Sequence, residues 1–196
     1  MPSYLPRKES ITLSAIDIVH DVGFQGLTTR EIAKRESISE AALYRHFKNR
    51  EEIVAAVFAY YAKFDHSIVK TIENLEMAPM ESVSFFIERL AEYYEGYPAV
   101  ASVMHAFDTV QSDNVYRTTV EIYSFRKTSV ERLLRTAQSE GILRREVDPD
   151  LLSSVIWSAF FSQVYEWRIG GYGYSLKAKS AAAIGMLLHL ATNETE

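Results

Sequence analysis

The sequence predicts an all-α protein of about nine helices, and three observations predict it. Apolar residues recur three or four positions apart along most of the 196 residues, Gly and Pro fall between these periodic segments, and no convincing alternating strand pattern occurs. Since 47% of the residues are hydrophobic and none is cysteine, the chain can bury a core without disulfides or thiolate-bound zinc. We therefore expect a protein of the reducing cytoplasm.

No segment predicts secretion or a membrane span. The N-terminal residues lack the apolar region of a signal peptide, and the longest apolar run, 181–191, is shorter than the roughly 18 residues that a span requires. We expect a cytoplasmic protein that does not enter the membrane.

The first helices are short and begin with recognisable caps. Residues 11–22 have helical apolar spacing, and Gly23 ends that helix. Thr28 is placed to cap the next helix, with Glu31 reaching back to its amide. Ser39 is placed to cap a further short helix over 39–47.

A longer helix is predicted to follow. Asn49 and Glu52 form a pair similar to a capping box, and the stripe behind them predicts one continuous helix over 49–75, with apolar positions at Ile53, Val57, Tyr61, Phe64, Ile68, Ile72 and Leu75. Beyond Pro79 the periodicity predicts five more helices, at about 79–95, 98–111, 115–140, 148–169 and 176–191.

Charge divides the chain into two parts. Residues 1–50 hold eight Lys or Arg against six Asp or Glu, whereas residues 51–196 hold thirteen against twenty, within a net charge of -5. A slightly basic head on an acidic body indicates a polyanionic partner for the head. We predict a DNA-binding domain at 1–50 and an effector-binding and dimerisation domain at 51–196.

The two capped helices at 28–35 and 39–47 have the dimensions of a helix-turn-helix. Small Ala41 and Ala42 would let the backbone approach bases and thymine methyls, and Arg45 is long enough to reach guanine. Glu40 is expected to favour its helix start electrostatically rather than to read cytosine. The predicted DNA-binding residues, many of them suited to phosphate, are Thr28, Thr29, Ser39, Glu40, Ala41, Ala42, Tyr44, Arg45, His46, Lys48 and Arg50.

These residues also carry a resemblance. Residues 23–58 read GFQGLTTREIAKRESISEAALYRHFKNREEIVAAVF, which resembles the DNA-binding head of the TetR family of transcriptional repressors. The shared elements are Thr-x-x-Glu-Ile-Ala, Ile-Ser, Leu-Tyr-x-x-Phe and the charged start of the helix after Asn49. The resemblance implies a homodimer on a palindromic operator of double-stranded DNA and a small-molecule effector held by the C-terminal helices.

One position departs from the family pattern. Ser37 stands where the family usually has Gly in the turn between the two helices. That position tends to need a positive φ, which a Cβ penalises. We expect a strained or differently shaped turn.

The body is predicted to dimerise through its last two long helices. Small residues at 181–183 and Gly185 permit close helix approach, and apolar faces are offered by Phe160, Val164, Ile184, Leu187 and Leu188. The alternative is that these faces only cover the core of their own chain.

Aromatic residues in the body predict an effector pocket. The inward faces of four helices are expected to converge on a largely apolar ligand at Phe86, Leu90, Met104, Phe107, Ile122, Tyr123, Arg126, Trp157 and Phe161. Arg126, His105 or a tyrosine hydroxyl would orient it. The alternative for each aromatic ring is that it packs in the core. For Arg126 the alternative is a surface ion pair, which is the commoner environment of an arginine.

Other functions find less support. A DNA-bound scaffold that recruits a protein partner is the main alternative, since the 39–47 run also resembles family members that act in nucleoid occlusion. An enzyme is disfavoured because no Ser/His/Asp order, paired carboxylates or cofactor loop is recognisable. His105 and Asp108 lack a third metal ligand nearby, so neither a metal nor a cofactor is expected.

Overall fold

The computed structural model describes residues 5–104 and 113–193, and all regular elements there are helices. One isolated antiparallel bridge joins Leu143 to Thr192. The all-α prediction is confirmed. The elements are α1 Arg7–Val22, a 3₁₀ turn Phe24–Gly26, α2 Thr29–Arg35, α3 Glu40–Leu43, α4 Arg50–Tyr61, α5 Asp65–Asn74, α6 Pro79–Gly96, α7 Pro98–Ala101, α8 Asp113–Ser139, α9 Pro149–Ile169 and α10 Leu176–Ala191.

The described residues pack as two compact units. The first comprises those of Met1–Lys63 and Tyr97–Ile122, and the second those of Phe64–Gly96 and Tyr123–Glu196. This division of the packing differs from the predicted boundary at residue 50, because α4 and α7 both pack against α1.

The first unit is built around α1. Ile11, Ala15 and Ile16 on its inner face are fully buried, in agreement with the predicted helical spacing. Polar contacts fasten the segment after α6 to the same helix: the Tyr97 hydroxyl donates to Asp17 Oδ1 at 2.8 Å. Burial and these bonds together make α1 the central element of the unit.

The predicted single helix over 49–75 is wrong. A turn at 62–64 separates α4 from α5, and the Lys63 amide bonds back to Tyr60 O at 3.3 Å. Phe64 and Leu75, both assigned to the buried stripe, are 42% and 63% exposed. No Gly or Pro marks the break, so apolar spacing alone could not reveal it.

A second prediction also fails in its extent. The helix expected over 98–111 is α-helical only as α7, Pro98–Ala101, and residues 102–104 continue as a tighter 3₁₀ turn. The rest of that range up to residue 112 lies outside the described residues. The other predicted helices agree with α6, α8, α9 and α10 to within a few residues.

The second unit has a core of packed rings. In it α10 packs against α6 and α9, and α5 against α6. Trp157 lies edge-on to Phe86, with ring centroids 5.7 Å apart, and Tyr94 stacks on Phe160 at 5.9 Å. Contacts of this kind add to the hydrophobic stabilisation that burial of the rings supplies.

A buried ion pair joins α5 to α8 inside this unit. Arg126 Nε and Nη2 donate to the two oxygens of Asp65 at 2.7 and 3.0 Å, and Nη1 donates to the Tyr94 hydroxyl at 3.3 Å. Burial raises the pKa of the Asp65 carboxyl above its ordinary value, against the Arg126 guanidinium, which lowers it. The two-pronged geometry fixes how α5 sits on α8.

Membrane insertion finds no support in the helices. Across the ranges 5–104 and 113–193, no helix combines the length and apolar character that a membrane crossing needs.

Candidate nucleic-acid interface

Two side-chain caps set the starts of α2 and α3. Thr28 Oγ1 accepts the Glu31 amide at 3.1 Å, and Ser39 Oγ accepts the Ala42 amide at 3.1 Å. Both predicted caps are confirmed. The Thr28 amide donates to Gly26 O at 2.9 Å, so the predicted return bond from the Glu31 side chain is replaced by a turn bond.

The turn between these helices is left-handed at one residue. Ser37 has φ 52°, as the missing family glycine predicts, and the Ile38 amide closes the turn on Ala33 O at 2.9 Å. The hydrogen bond that closes the turn therefore forms although Ser37 carries a Cβ.

A buried carboxylate secures the end of α2 against α1. Glu36 accepts hydrogen bonds from Ser10 Oγ at 3.0 and 3.1 Å and from Ser14 Oγ at 2.5 Å. Arg7 adds an ion pair at 3.3 Å, and the Glu36 side chain is only 7% exposed. Sequence reasoning missed this cluster, because the serines are separated from Glu36 by more than twenty residues.

The second helix of the motif is shorter than predicted. Only α3, Glu40–Leu43, is α-helical, and residues 44–46 continue as turns in which the His46 amide bonds to Leu43 O at 2.9 Å. Leu43 and Phe47 are buried as predicted. The opposite side is exposed and carries Ala41, Tyr44, Arg45, His46 and Lys48.

Two members of the predicted DNA set bond to each other. Thr29 Oγ1 donates to Glu40 Oε2 at 2.7 Å, which joins the first turns of α2 and α3. This bond occupies the Glu40 carboxylate and agrees with the prediction that Glu40 does not read a base.

Arg50 is bonded to backbone oxygens within the chain. Its Nε donates to Leu27 O at 2.9 Å and its Nη2 to Phe24 O at 3.3 Å, so the guanidinium holds the start of α4 on the turn before α2. The structure thus shows a structural role for Arg50, and its phosphate contact stays a prediction.

The start of α4 is capped as predicted, and the Glu52 carboxylate has bonding partners there. Asn49 Oδ1 accepts the Glu52 amide at 2.9 Å, while Glu52 accepts the Lys48 amide at 2.7 Å and pairs with Lys8 at 2.9 Å. These partners, the Lys48 amide first, lower the pKa of the Glu52 carboxyl.

The motif presents cations on its exposed side. In the described part of the chain, the Arg45 side chain has no hydrogen bond or ion pair, so it can bind a ligand without breaking a contact within the protein. Arg30 in the first turn of α2 is also exposed, and the sequence analysis did not include it among the DNA-binding residues. Cations at a helix N-terminus beside a reading helix suit a phosphate backbone.

The predicted effector residues separate into several environments. Phe86, Leu90 and Trp157 are buried in the second unit with half-buried Phe161, and Arg126 is engaged by Asp65. Tyr123 is 41% exposed and does not line an interior pocket, which corrects that assignment. Met104 and Ile122 belong to the first unit, and Phe107, like His105, lies outside the described residues.

The predicted dimer residues also need a correction. Phe160, Val164, Ile184 and Leu188 are buried against other helices of their own chain, and Leu187 is half-buried. The alternative reading, in which they cover their own core, is the observed one. The exposed large apolar residues of α9 and α10 are instead Leu151, Val155, Tyr165, Ile169, Met186 and Leu190.

No metal centre is seen where the structure can be described. The pair His105 and Asp108 falls in the undescribed segment, and in the remainder no three potential His, Cys, Asp or Glu ligands come together.

Comparison with known proteins identifies the same segment. Residues 11–57 match the family model described as bacterial regulatory proteins, tetR family. The class C tetracycline repressor of Escherichia coli is 34% identical over 61 residues, which are 31% of this chain and only 28% of the repressor. The match to that relative thus covers less than a third of either chain.

Solved structures share the fold over the whole length. The ketosteroid regulator KstR2 of Mycobacterium tuberculosis has a TM-score of 0.83 at 19% identity, and the match covers 98% of each chain. FadR of Bacillus subtilis, solved with stearoyl-CoA, has a TM-score of 0.80 at 18% identity, with 92% of this chain and 97% of FadR covered.

Relief of the left-handed turn gives a test of the motif. Ser37→Gly removes the Cβ at φ 52° and should stabilise the turn by about 0.5–1 kcal/mol. Hydrogen exchange of the Ile38 amide, which closes the turn, measures the change directly. Ser37→Ala keeps the Cβ and is the matched control; equal slowing of exchange in both variants would contradict the strain.

Proposed function

We propose that this chain is a member of the tetR family of bacterial regulatory proteins and acts as a DNA-binding transcriptional repressor. In this proposal a homodimer binds a palindromic operator and releases it when a small, largely apolar effector binds. The observation that carries the proposal is the exposed face of α3, backed by buried Leu43 and Phe47 and held by caps at both helix starts.

The chemistry of that face suits base reading. Ala41 and Ala42 have no side chain beyond a methyl, so backbone and thymine methyls can approach each other. Arg45 extends from the same surface and can donate two bonds to guanine. Tyr44, His46 and Lys48 suit phosphate oxygens, which position the protein without selecting sequence.

A second copy of the chain is the proposed partner for the outer face of α9 and α10. On α9 the exposed positions recur at intervals of three and four residues, at Leu151, Val155, Ser158, Ser162, Tyr165 and Ile169. On α10 the corresponding positions are Ala178, Ala182, Gly185, Met186, His189 and Leu190. Such stripes are typical of helix pairs that pack across a two-fold axis, and the small residues allow close approach.

The buried rings of the second unit support an apolar effector. Phe86, Leu90, Trp157 and Phe161 supply apolar and aromatic surface, and Trp157 Nε1 is a buried donor with no hydrogen-bond partner among the described residues. A carbonyl or carboxylate of an effector would satisfy that donor. FadR, with its stearoyl-CoA, shows that this fold can accommodate a ligand that combines a long apolar chain with polar groups.

Release from DNA is proposed as a shift between two states. The backbone passes between the two packing units at Lys63–Phe64, Gly96–Tyr97 and Ile122–Tyr123. An effector that binds one arrangement of the dimer more tightly shifts the population toward it in proportion to that difference in affinity. The separation of the two heads then ceases to match the two half-sites.

Selection of duplexes from a random library tests the DNA-binding proposal. We expect an inverted repeat whose half-sites lie about 34–36 Å apart, one helical turn. Arg45→Ala should relax the preference at one position of each half-site, at a cost of about 1–3 kcal/mol, whereas Lys48→Ala should weaken all duplexes and flatten the salt dependence. Identical sequence preferences in both variants would remove Arg45 from base reading.

Sedimentation of surface variants tests the dimer. Gly185→Arg places a long side chain on the exposed stripe, where an added Cβ meets nothing within 4 Å of its own chain, so the variant should fold but sediment as a monomer. Thr136→Arg, at an exposed position of α8, is the matched control, and this variant should stay dimeric. Ile184→Glu should unfold the second unit, since Ile184 is 1% exposed. A dimeric Gly185→Arg protein would place the interface elsewhere.

A further inference from the structure

A groove between α5 and α8 in the second unit has no part in the functions described above. It has a volume of about 630 Å³ and is lined by His66, Val69, Lys70, Glu73, Asn74, Phe125, Thr128, Ser129 and Arg132. Volumes of about 300–1,000 Å³ are typical of small-molecule sites. We refer to it as the α5–α8 groove.

The charge of this groove is opposite to that of the body around it. Lys70 and Arg132 line it together with His66, against a single acid, Glu73, although residues 51–196 carry seven more acids than bases. A cationic depression on an acidic surface attracts a compact anion to that one place.

The groove also offers apolar and aromatic surface. The rings of His66 and Phe125 lie with centroids 4.1 Å apart, and Val69 is half-buried beside them. The hydroxyls of Thr128 and Ser129 donate to backbone oxygens of α8, at 2.7 Å each, so they do not donate to a ligand. Donors to an anion must come from the basic side chains and the Asn74 amide.

The one acid in the groove is weakly held. Arg132 Nη2 and Glu73 Oε1 are 3.5 Å apart, and both side chains are more than half exposed, at 64% and 60%. Exposed pairs of this kind contribute little to stability, so a ligand with two or more negative charges can take Arg132 from Glu73.

From these features we propose that the α5–α8 groove binds a phosphorylated small molecule that also carries a flat or apolar group. The phosphates lie between Lys70 and Arg132, and the flat group covers the His66–Phe125 rings. All lining residues belong to the second unit, whereas the residues proposed to contact DNA belong to the first. The inference does not depend on the proposed repressor function, because binding is measurable without DNA.

Calorimetric titration of the full chain at low salt, with ADP as the probe, tests the groove. Adenosine presents the same ring without phosphate, and inorganic phosphate presents the anion without the ring; both should bind at least tenfold more weakly than ADP. Lys70→Ala and Arg132→Ala should each weaken ADP by about tenfold and leave adenosine unchanged. Glu73→Gln, which removes the competing acid, should tighten ADP by several-fold.

Two controls separate the groove from other basic surface. Arg135, on the same helix and paired with Glu131 at 2.6 Å, does not line the groove, so Arg135→Ala should bind ADP like the unmodified chain. The double variant Arg45→Ala, Lys48→Ala should also be unaffected; loss of ADP binding there would show that the anion binds the head. Equal affinity for ADP and adenosine, or retention of ADP by the Lys70→Ala, Arg132→Ala double variant, would overturn the proposal.

Discussion

Side-chain oxygens that accept the first backbone amides of a helix mark where α2, α3, α4 and α10 begin. Thr28, Ser39 and Asn49 each accept the amide three residues later, at 2.9–3.1 Å, and Ser175 does the same for α10 at 3.1 Å. Helices as short as α2 and α3 cannot persist on intrinsic propensity, so caps and burial must stabilise them. The exposed face proposed to contact DNA therefore depends on where those short helices start.

Contacts from outside the motif hold the capped helices in place. Glu36 ties the end of α2 to α1 through Ser10 and Ser14, and Arg50 ties α4 to the turn before α2. The left-handed Ser37 is tolerated between these attachments. The residues that orient the motif are therefore bonded within the chain, while Arg45 is left available to a ligand.

Local capping signals predicted the helix starts of the head, and apolar periodicity predicted α6, α8, α9 and α10. Caps at Thr28, Ser39 and Asn49 could be read from the sequence because each involves residues three apart. The break between α4 and α5 could not, since no Gly or Pro marks it, and the Asp65–Arg126 bond beyond it spans sixty-one positions. Burial was also ambiguous: Ile184 and Met186 look alike in an apolar helix, yet the first is 1% and the second 60% exposed. Apolar periodicity identifies the apolar positions of a helix, but it does not tell which of them pack against the rest of the same chain.

The capped head is proposed above all to distinguish DNA sequences. Competition measures this most directly: a labelled duplex taken from the selected pool is displaced by the same unlabelled duplex or by a scrambled one of equal length and composition, at near-physiological salt. Specific regulators prefer their sites by about a thousandfold or more, because base contacts add to the phosphate contacts that all DNA provides. We predict a preference of at least that size for the selected duplex. Equal displacement by the two competitors would contradict the account.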